Sequence, residues 1–179
     1  MGIRYYAYPV PGDLVDDARR DPGRFLGGDP LADAWQLVPS GVETAAGGLI
    51  TEGVFAFDEN KPRPTMLYLD KAYSVFQALF ASSDDGRGPR SSYALVQGEL
   101  SVSYGEEYLF TPWVRVLDAA TTAAIAADVK TFEPVAEGHP ALTMRLPWAA
   151  KTINAYLADM RDFMADRTRA GDGVVYTIT

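Results

Sequence analysis

The sequence predicts an α+β fold: a single domain over residues 1–179, with a mixed sheet whose N- and C-terminal strands are packed by several amphipathic helices. Three observations predict it. Both ends of the chain, "IRYYAYPV" and "GVVYTIT", are rich in the β-branched and aromatic residues that suit strands. Two internal segments carry apolar residues at helical spacing. Strand-like and helix-like segments do not alternate regularly, which argues against a parallel βαβ sheet. At 179 residues, 47% of them hydrophobic, the chain is long enough to bury a substantial core.

Taken in order, Ile3 to Tyr8 reads as a strand closed by Pro9 and Pro11. "PGDLVDDARR" follows as a turn, a capping Asp13 and a short helix with Leu14, Val15 and Ala18 on its apolar side. "DPGRFLGGDPLADAW" is punctuated by Pro22, Gly23, Gly27, Gly28 and Pro30 and reads as one-turn helices anchored by Phe25, Leu26, Leu31 and Trp35. Residues 38–65 read as loop, short apolar segment and loop. Pro62 and Pro64 exclude helix from "NKPRP". Leu69, Ala72, Tyr73, Phe76, Leu79 and Phe80 then draw one stripe down a helix from about Thr65 to Ala81.

"SSDDGRGPRSS" has the composition of an exposed loop, and "YALVQGELSVSY" fits either a short helix or a strand pair broken at Gly98. "YLFTPWVRVL" is rich in strand formers, with Pro112 pointing to an edge or a bulge. Asp118 is placed to cap a helix over "AATTAAIAADVKTF", whose Ala120, Ala123, Ala124 and Ala127 form a small face suited to close packing. Residues 133–148 read as loop. Ile153, Tyr156, Leu157, Met160, Phe163, Met164 and Arg167 repeat the helical stripe, Gly171 ends it, and the last strand follows.

Composition excludes several chemistries. There is no cysteine, hence no thiol nucleophile, disulfide or thiolate metal site. The balance of 16 basic and 24 acidic residues, net −8, repels a phosphate backbone, and the basic residues are scattered, so nucleic acid is not an expected partner. No run approaches a membrane span, and "MGIRYYAYPV" lacks the basic and apolar regions of a signal peptide, so the expected location is the cytoplasm, with no membrane partner. The single histidine, His139, sits in a Gly/Pro loop. No G-x-S-x-G elbow accompanies it, and Ser40, Ser74 and Ser101 lack a nucleophile's setting. The acidic doublets Asp16–Asp17, Asp58–Glu59, Asp84–Asp85 and Glu106–Glu107 follow no metal-loop spacing, and the glycines match no phosphate loop. No cofactor, metal or catalytic residue is assigned.

What remains is a surplus of aromatics. On the first strand Tyr6 and Tyr8 share one face and Tyr5 takes the other. Buried tyrosine hydroxyls need partners, and Asp70 is a candidate acceptor. The simpler account of Asp70 is a favourable charge at a helix N-terminus, with Lys71 solvated. The residues singled out for ligand binding are Tyr6, Asp70, Tyr73 and Tyr104, with Tyr5 as an alternative to Tyr6.

The opening "MGIRYYAYPV", the central "LDKAYSVFQALF", "QGEL" and "SYGEEY" leading to "VRVLDAATTAAIAADV", and the closing "AYLADMRDFMADRTRAGDGVVYTIT" occur in an order that resembles the YfbM-like family, also called domain of unknown function 1877. The best marker is Leu69-Asp70-Lys71-Ala72-Tyr73, where Tyr73 stands in place of the family's usual tryptophan. The resemblance implies a compact α+β bacterial protein, cytosolic, and carries no activity with it. The leading expectation is therefore a non-catalytic binding or interaction protein, regulatory or immunity-type, toward a basic protein partner. The alternative is a small-molecule enzyme or ligand sensor built on the tyrosine and carboxylate residues. A homo-oligomer is neither supported nor contradicted by the sequence.

Overall fold

The structure, a computed structural model, describes residues 3–45, 47–50, 54–62, 64–83, 88–98, 113–143 and 147–179. Its elements are β1 (Tyr5–Val10), α1 (Val15–Arg20), α2 (Pro30–Ala34), β2 (Leu37–Pro39), β3 (Val42–Glu43), β4 (Leu49–Ile50), β5 (Phe55–Phe57), β6 (Leu67–Asp70), α3 (Tyr73–Phe80), β7 (Trp113–Leu117), α4 (Ala119–Thr131), α5 (Ala150–Ala170) and β8 (Gly173–Ile178). Short 3-10 turns at Gly12–Leu14, Pro22–Phe25, Ser91–Leu95 and Pro140–Thr143 join them. The class is α+β, as the sequence predicts. The expected mixed sheet narrows to a four-stranded sheet in the order β6-β1-β8-β7, and each of its pairings is antiparallel. The small ribbons β2–β5 and β3–β4 stand apart from it.

The two chain ends pair with each other because both are strand formers with alternating bulk. Tyr5 faces Ile178 and the register runs unbroken to Val10 opposite Gly173. Arg4 and Thr179 exchange both main-chain hydrogen bonds, at 2.6 and 2.9 Å, so hydrogen-bonded pairs fall at even positions of β1. The N of Pro9 therefore points toward β6, whose pairing stops at Ala7, and the missing N–H deprives no neighbour. This is why the strand runs through Pro9 to Val10 and does not stop at Tyr8.

Alternation divides the core in two. Tyr5, Ala7, Leu67, Leu69, Val174, Tyr176 and Ile178 face α3, α4 and α5, while Tyr6, Tyr8, Val10, Val114 and Val175 face α1, the segment carrying Phe25 and Leu26, and Leu31 of α2. The α5 stripe is buried as its spacing requires, and Gly171 ends the helix at φ 75°. Gly173 then lets β8 pass close to β7, since a Cβ there would lie 2.4 Å from the Leu117 carbonyl oxygen.

Several expectations are corrected. Residues 67–70 are strand, not the start of a helix from Thr65. Leu67 and Leu69 are buried while Tyr68 and Asp70 point the other way, a period of two that the longer stripe concealed. Asp70 accordingly ends a strand at φ 46° and does not open a helix. In α4, Asp118 caps as expected, accepting the Thr121 N–H at 2.8 Å. The buried face, however, is Thr122, Ile125 and Val129, while Ala120, Ala124 and Ala127 are exposed. Asp13 makes no side-chain cap. The section read as loop, short apolar segment and loop holds most of β2 and all of β3 to β5; β4 and β5 fall in the apolar segment, and the strands are too short to leave a periodic signal. Among the described residues no helix is long and apolar enough to cross a membrane.

Candidate functional site

The outer rim of β1 and β6 gathers the polar and aromatic side chains that the sequence singles out. Tyr6 and Tyr68, directly opposed in the ladder, stack with ring centroids 5.4 Å apart. The Tyr68 hydroxyl accepts the indole N–H of Trp35, which follows α2, at 3.2 Å. The Arg4 guanidinium lies 5.5 Å from the Trp35 ring centroid, and its Nε is 3.0 Å from Asp70 Oδ1. Arg4 thus joins the strand carboxylate to the exposed indole.

Electrostatics hold these phenols protonated. Burial pushes Tyr6 up to about 12; Arg4 opposes the shift and Asp70 and Asp29 add to it. Tyr68 is also pushed up to about 12 by burial, against the Trp35 hydrogen bond and with the help of Asp70. Tyr8 rises further through burial and Asp33. A tyrosine acting as a general base needs the opposite displacement, toward the working pH. The cluster can donate and accept hydrogen bonds and stack; it is not arranged to take up protons.

The four anticipated site residues do not share one place. Tyr6 and Asp70 meet at the outer rim. Tyr73 is buried at the first turn of α3, on the helix side of the sheet with Tyr5 and Tyr176. Tyr104 lies outside the described residues, as do Ser101, Asp84, Asp85, Glu106 and Glu107. The sheet itself separates Tyr6 from Tyr73, because consecutive strand residues point to opposite faces and α3 covers only one.

His139 lines a cleft of about 340 Å³ together with Arg90, Thr131, Phe132 and Glu133. Its Nδ1 accepts the Ala141 N–H at 3.1 Å, which fixes the Nε2–H tautomer of the neutral ring. Arg90 is 2.6 Å from Asp128 and lies over the Phe132 ring at 5.1 Å. The Thr131 hydroxyl donates to the Asp128 carbonyl at 3.0 Å. Arg90 and Thr131 are thus engaged in holding α4. Among the described residues no cluster of three or more His, Asp or Glu is placed to hold a metal ion.

Sequence reasoning missed a second surface beside the rim. Phe55 and Phe57 are 47% and 65% exposed, and Trp35 is 46% exposed. The register sets Leu37 opposite Phe57 and Pro39 opposite Phe55, so all four side chains lie on one face of the β2–β5 ribbon. The available signal was "FAF", two phenylalanines at strand spacing that end the short apolar segment directly before the polar "DENK".

No family model matches the chain, and no curated protein matches it. Among solved structures, the chain is similar to the crystal structure of YfbM from Escherichia coli, a protein of unknown function, at 12% identity and a TM-score of 0.44, over 98% of this chain and 99% of that one.

Proposed function

We propose that this is a non-catalytic interaction protein that binds a partner with a basic surface through the exposed aromatic face of the β2–β5 ribbon. The observation that carries the reading is the exposure of Phe55 and Phe57 on one face with Leu37 and Pro39. A two-stranded ribbon is marginal in water and gains by burying such a face. The net charge of −8 and the acids Asp58 and Glu59 directly after β5 favour a partner of opposite sign. The raised tyrosine pKa values and the separation of Tyr6 from Tyr73 speak against the enzyme alternative. The reading keeps the YfbM-like membership inferred from the order of the sequence motifs, and with it a cytoplasmic setting.

The test is site-specific cross-linking in cells, with a photoreactive benzoyl-phenylalanine at position 57 and, as control, at exposed position 169. The reading expects one discrete adduct from position 57 alone, with a basic protein, weakened by salt. Adducts of equal intensity from both positions, or none from position 57, would refute it.

A further inference from the structure

We infer that β5 is an acceptor edge, and that the partner docks by adding an extended, lysine- or arginine-bearing apolar segment as a third strand beside it. The inference rests on the interaction reading above and specifies its mode.

The register decides which main-chain groups face outward. Asp58 N–H donates to the Gln36 carbonyl at 2.9 Å and Ser40 N–H to the Val54 carbonyl at 2.8 Å, so those two antiparallel pairs are hydrogen-bonded. Hydrogen-bonded and non-hydrogen-bonded pairs alternate. Leu37–Phe57 and Pro39–Phe55 are therefore non-hydrogen-bonded pairs, and the N–H and C=O groups of Phe55 and Phe57 point away from β2.

The two outer edges of the ribbon are treated differently. On β2, Pro39 has no N–H to offer, and the Leu37 carbonyl accepts the Lys61 ammonium at 2.9 Å. Proline and lysine are the residues that blunt a sheet edge against further pairing. On β5, the outward groups of Phe55 and Phe57 have no hydrogen-bond partner among the described residues. The open edge is thus also the edge that carries the two exposed aromatic rings. Strand addition uses both features, main-chain hydrogen bonds for affinity and alternate side chains for specificity.

Charge selects the occupant. β5 runs directly into Asp58 and Glu59, and neither makes an ion pair among the described residues. Nearby Asp33 is already neutralised by Lys61 at 3.3 Å. An added strand whose apolar side chains cover Phe55 and Phe57 brings its flanking residue to this acidic exit, where a cation is favoured. A second copy of this chain would bring another net −8 surface to the same edge.

The probe is a fluorescein-labelled peptide of about eight residues, a strand length, alternating valine and threonine with lysine at its ends, titrated with the full chain and followed by anisotropy. Three controls accompany it: the same peptide N-methylated at its central residues, the same peptide with glutamate for lysine, and the protein variants Phe57→Val and Phe57→Pro. Losing two main-chain hydrogen bonds predicts about tenfold weaker binding for the peptide N-methylated at two edge-facing residues, and losing the one N–H at position 57 predicts about fivefold weaker binding for Phe57→Pro. Phe57→Val stays within about threefold, since an apolar residue and the N–H both remain. The glutamate peptide binds more weakly than the lysine peptide, and the difference shrinks with salt.

Equal binding of the methylated and unmethylated peptides, equal binding of Phe57→Pro and Phe57→Val, or no binding of either peptide overturns strand addition. So does a homodimer that Phe57→Pro dissociates, which would make a second copy the occupant. Each of these leaves the interaction reading to the cross-linking experiment, which does not depend on main-chain pairing; a failure there with peptide binding intact removes the interaction reading and the docked partner, and leaves only an edge able to accept a strand.

Discussion

The Nε of Arg4 lies 3.0 Å from Oδ1 of Asp70, and this ion pair ties the residue before β1 to the last residue of β6. Asp70 holds φ 46° there, a left-handed conformation that aspartate tolerates better than most residues. A bulge between Tyr5 and Tyr6 shifts the ladder at the same place. The charge on Arg4 and the turn at Asp70 therefore close one corner of the sheet and seat Trp35 over it.

Breaking that pair separates charge from backbone. Asp70→Asn is expected to cost about 1 kcal/mol, because it removes the carboxylate charge but keeps a side chain tolerant of positive φ. Asp70→Ala is expected to cost about 1 kcal/mol more through the strained φ. Urea denaturation of the two variants, with Arg4→Met as the third corner of a double-mutant cycle, measures both. Identical losses for Asn and Ala would show that the backbone conformation contributes nothing.

The two tyrosines of the inner face behave oppositely on truncation. Tyr5 and Tyr176 stack at 5.3 Å, yet the Tyr5 hydroxyl is buried without a hydrogen-bond partner among the described residues, while that of Tyr176 donates to the Ala94 carbonyl at 3.2 Å and accepts the Gly98 N–H at 3.3 Å. Tyr5→Phe is expected to be neutral or stabilising by up to about 1 kcal/mol, and Tyr176→Phe to cost about 1–2 kcal/mol. Thermal melts of the pair decide it, and a larger loss for Tyr5→Phe would contradict the structure.

Alkaline titration reads the rim directly. Burial holds Tyr6 and Tyr68 near 12, and raises Tyr5, Tyr8 and Tyr156 as well. Because the folded state binds these protons more tightly than an unfolded chain titrating near 10, the stability they contribute is full below about pH 10 and is lost as pH rises toward 12. Tyrosinate absorbance should therefore extend to higher pH in the native protein than in denaturant, with a late component from these residues. Tyr6→Phe and Tyr68→Phe should each shrink the late component; its absence from the native titration would contradict the burial.

Two aspartates on the helices carry opposite pH signatures. Burial works to raise Asp128, but the Ser92 hydrogen bonds and Arg90 outweigh it and leave the carboxyl lowered. Its contribution is present above about pH 4 and lost as pH falls through the folded pKa. Asp159 is raised by burial and by Asp162, so its contribution is present in acid and lost as pH rises. Asp128→Asn should cost about 2–3 kcal/mol at neutral pH and less in acid. Asp159→Asn should raise the melting temperature at neutral pH, with the gain vanishing in acid. Melting curves across the pH range test both signs.

The sequence by itself determined the elements whose residues repeat long enough to declare a period. The two terminal strands, the α5 stripe with its Gly171 stop, and the Asp118 cap were legible because each is a local pattern with a local cause. It also fixed the chemistry that is absent, since a chain without cysteine and with one histidine closes several mechanisms by composition alone.

Tertiary structure decided what short range could not. Four residues at Leu67–Asp70 became strand because Tyr5 to Ala7 offered them a ladder, and that pairing energy outweighs a helical spacing shared with the following turn. Asp70 acquired its partner from Arg4, far away in sequence, and the sheet placed Tyr6 and Tyr73 on opposite faces. Which groups of the β5 edge are open depends on the parity of a register, which no composition encodes: one residue of slip would turn the N–H and C=O groups of Phe55 and Phe57 toward β2 and those of Ala56 outward.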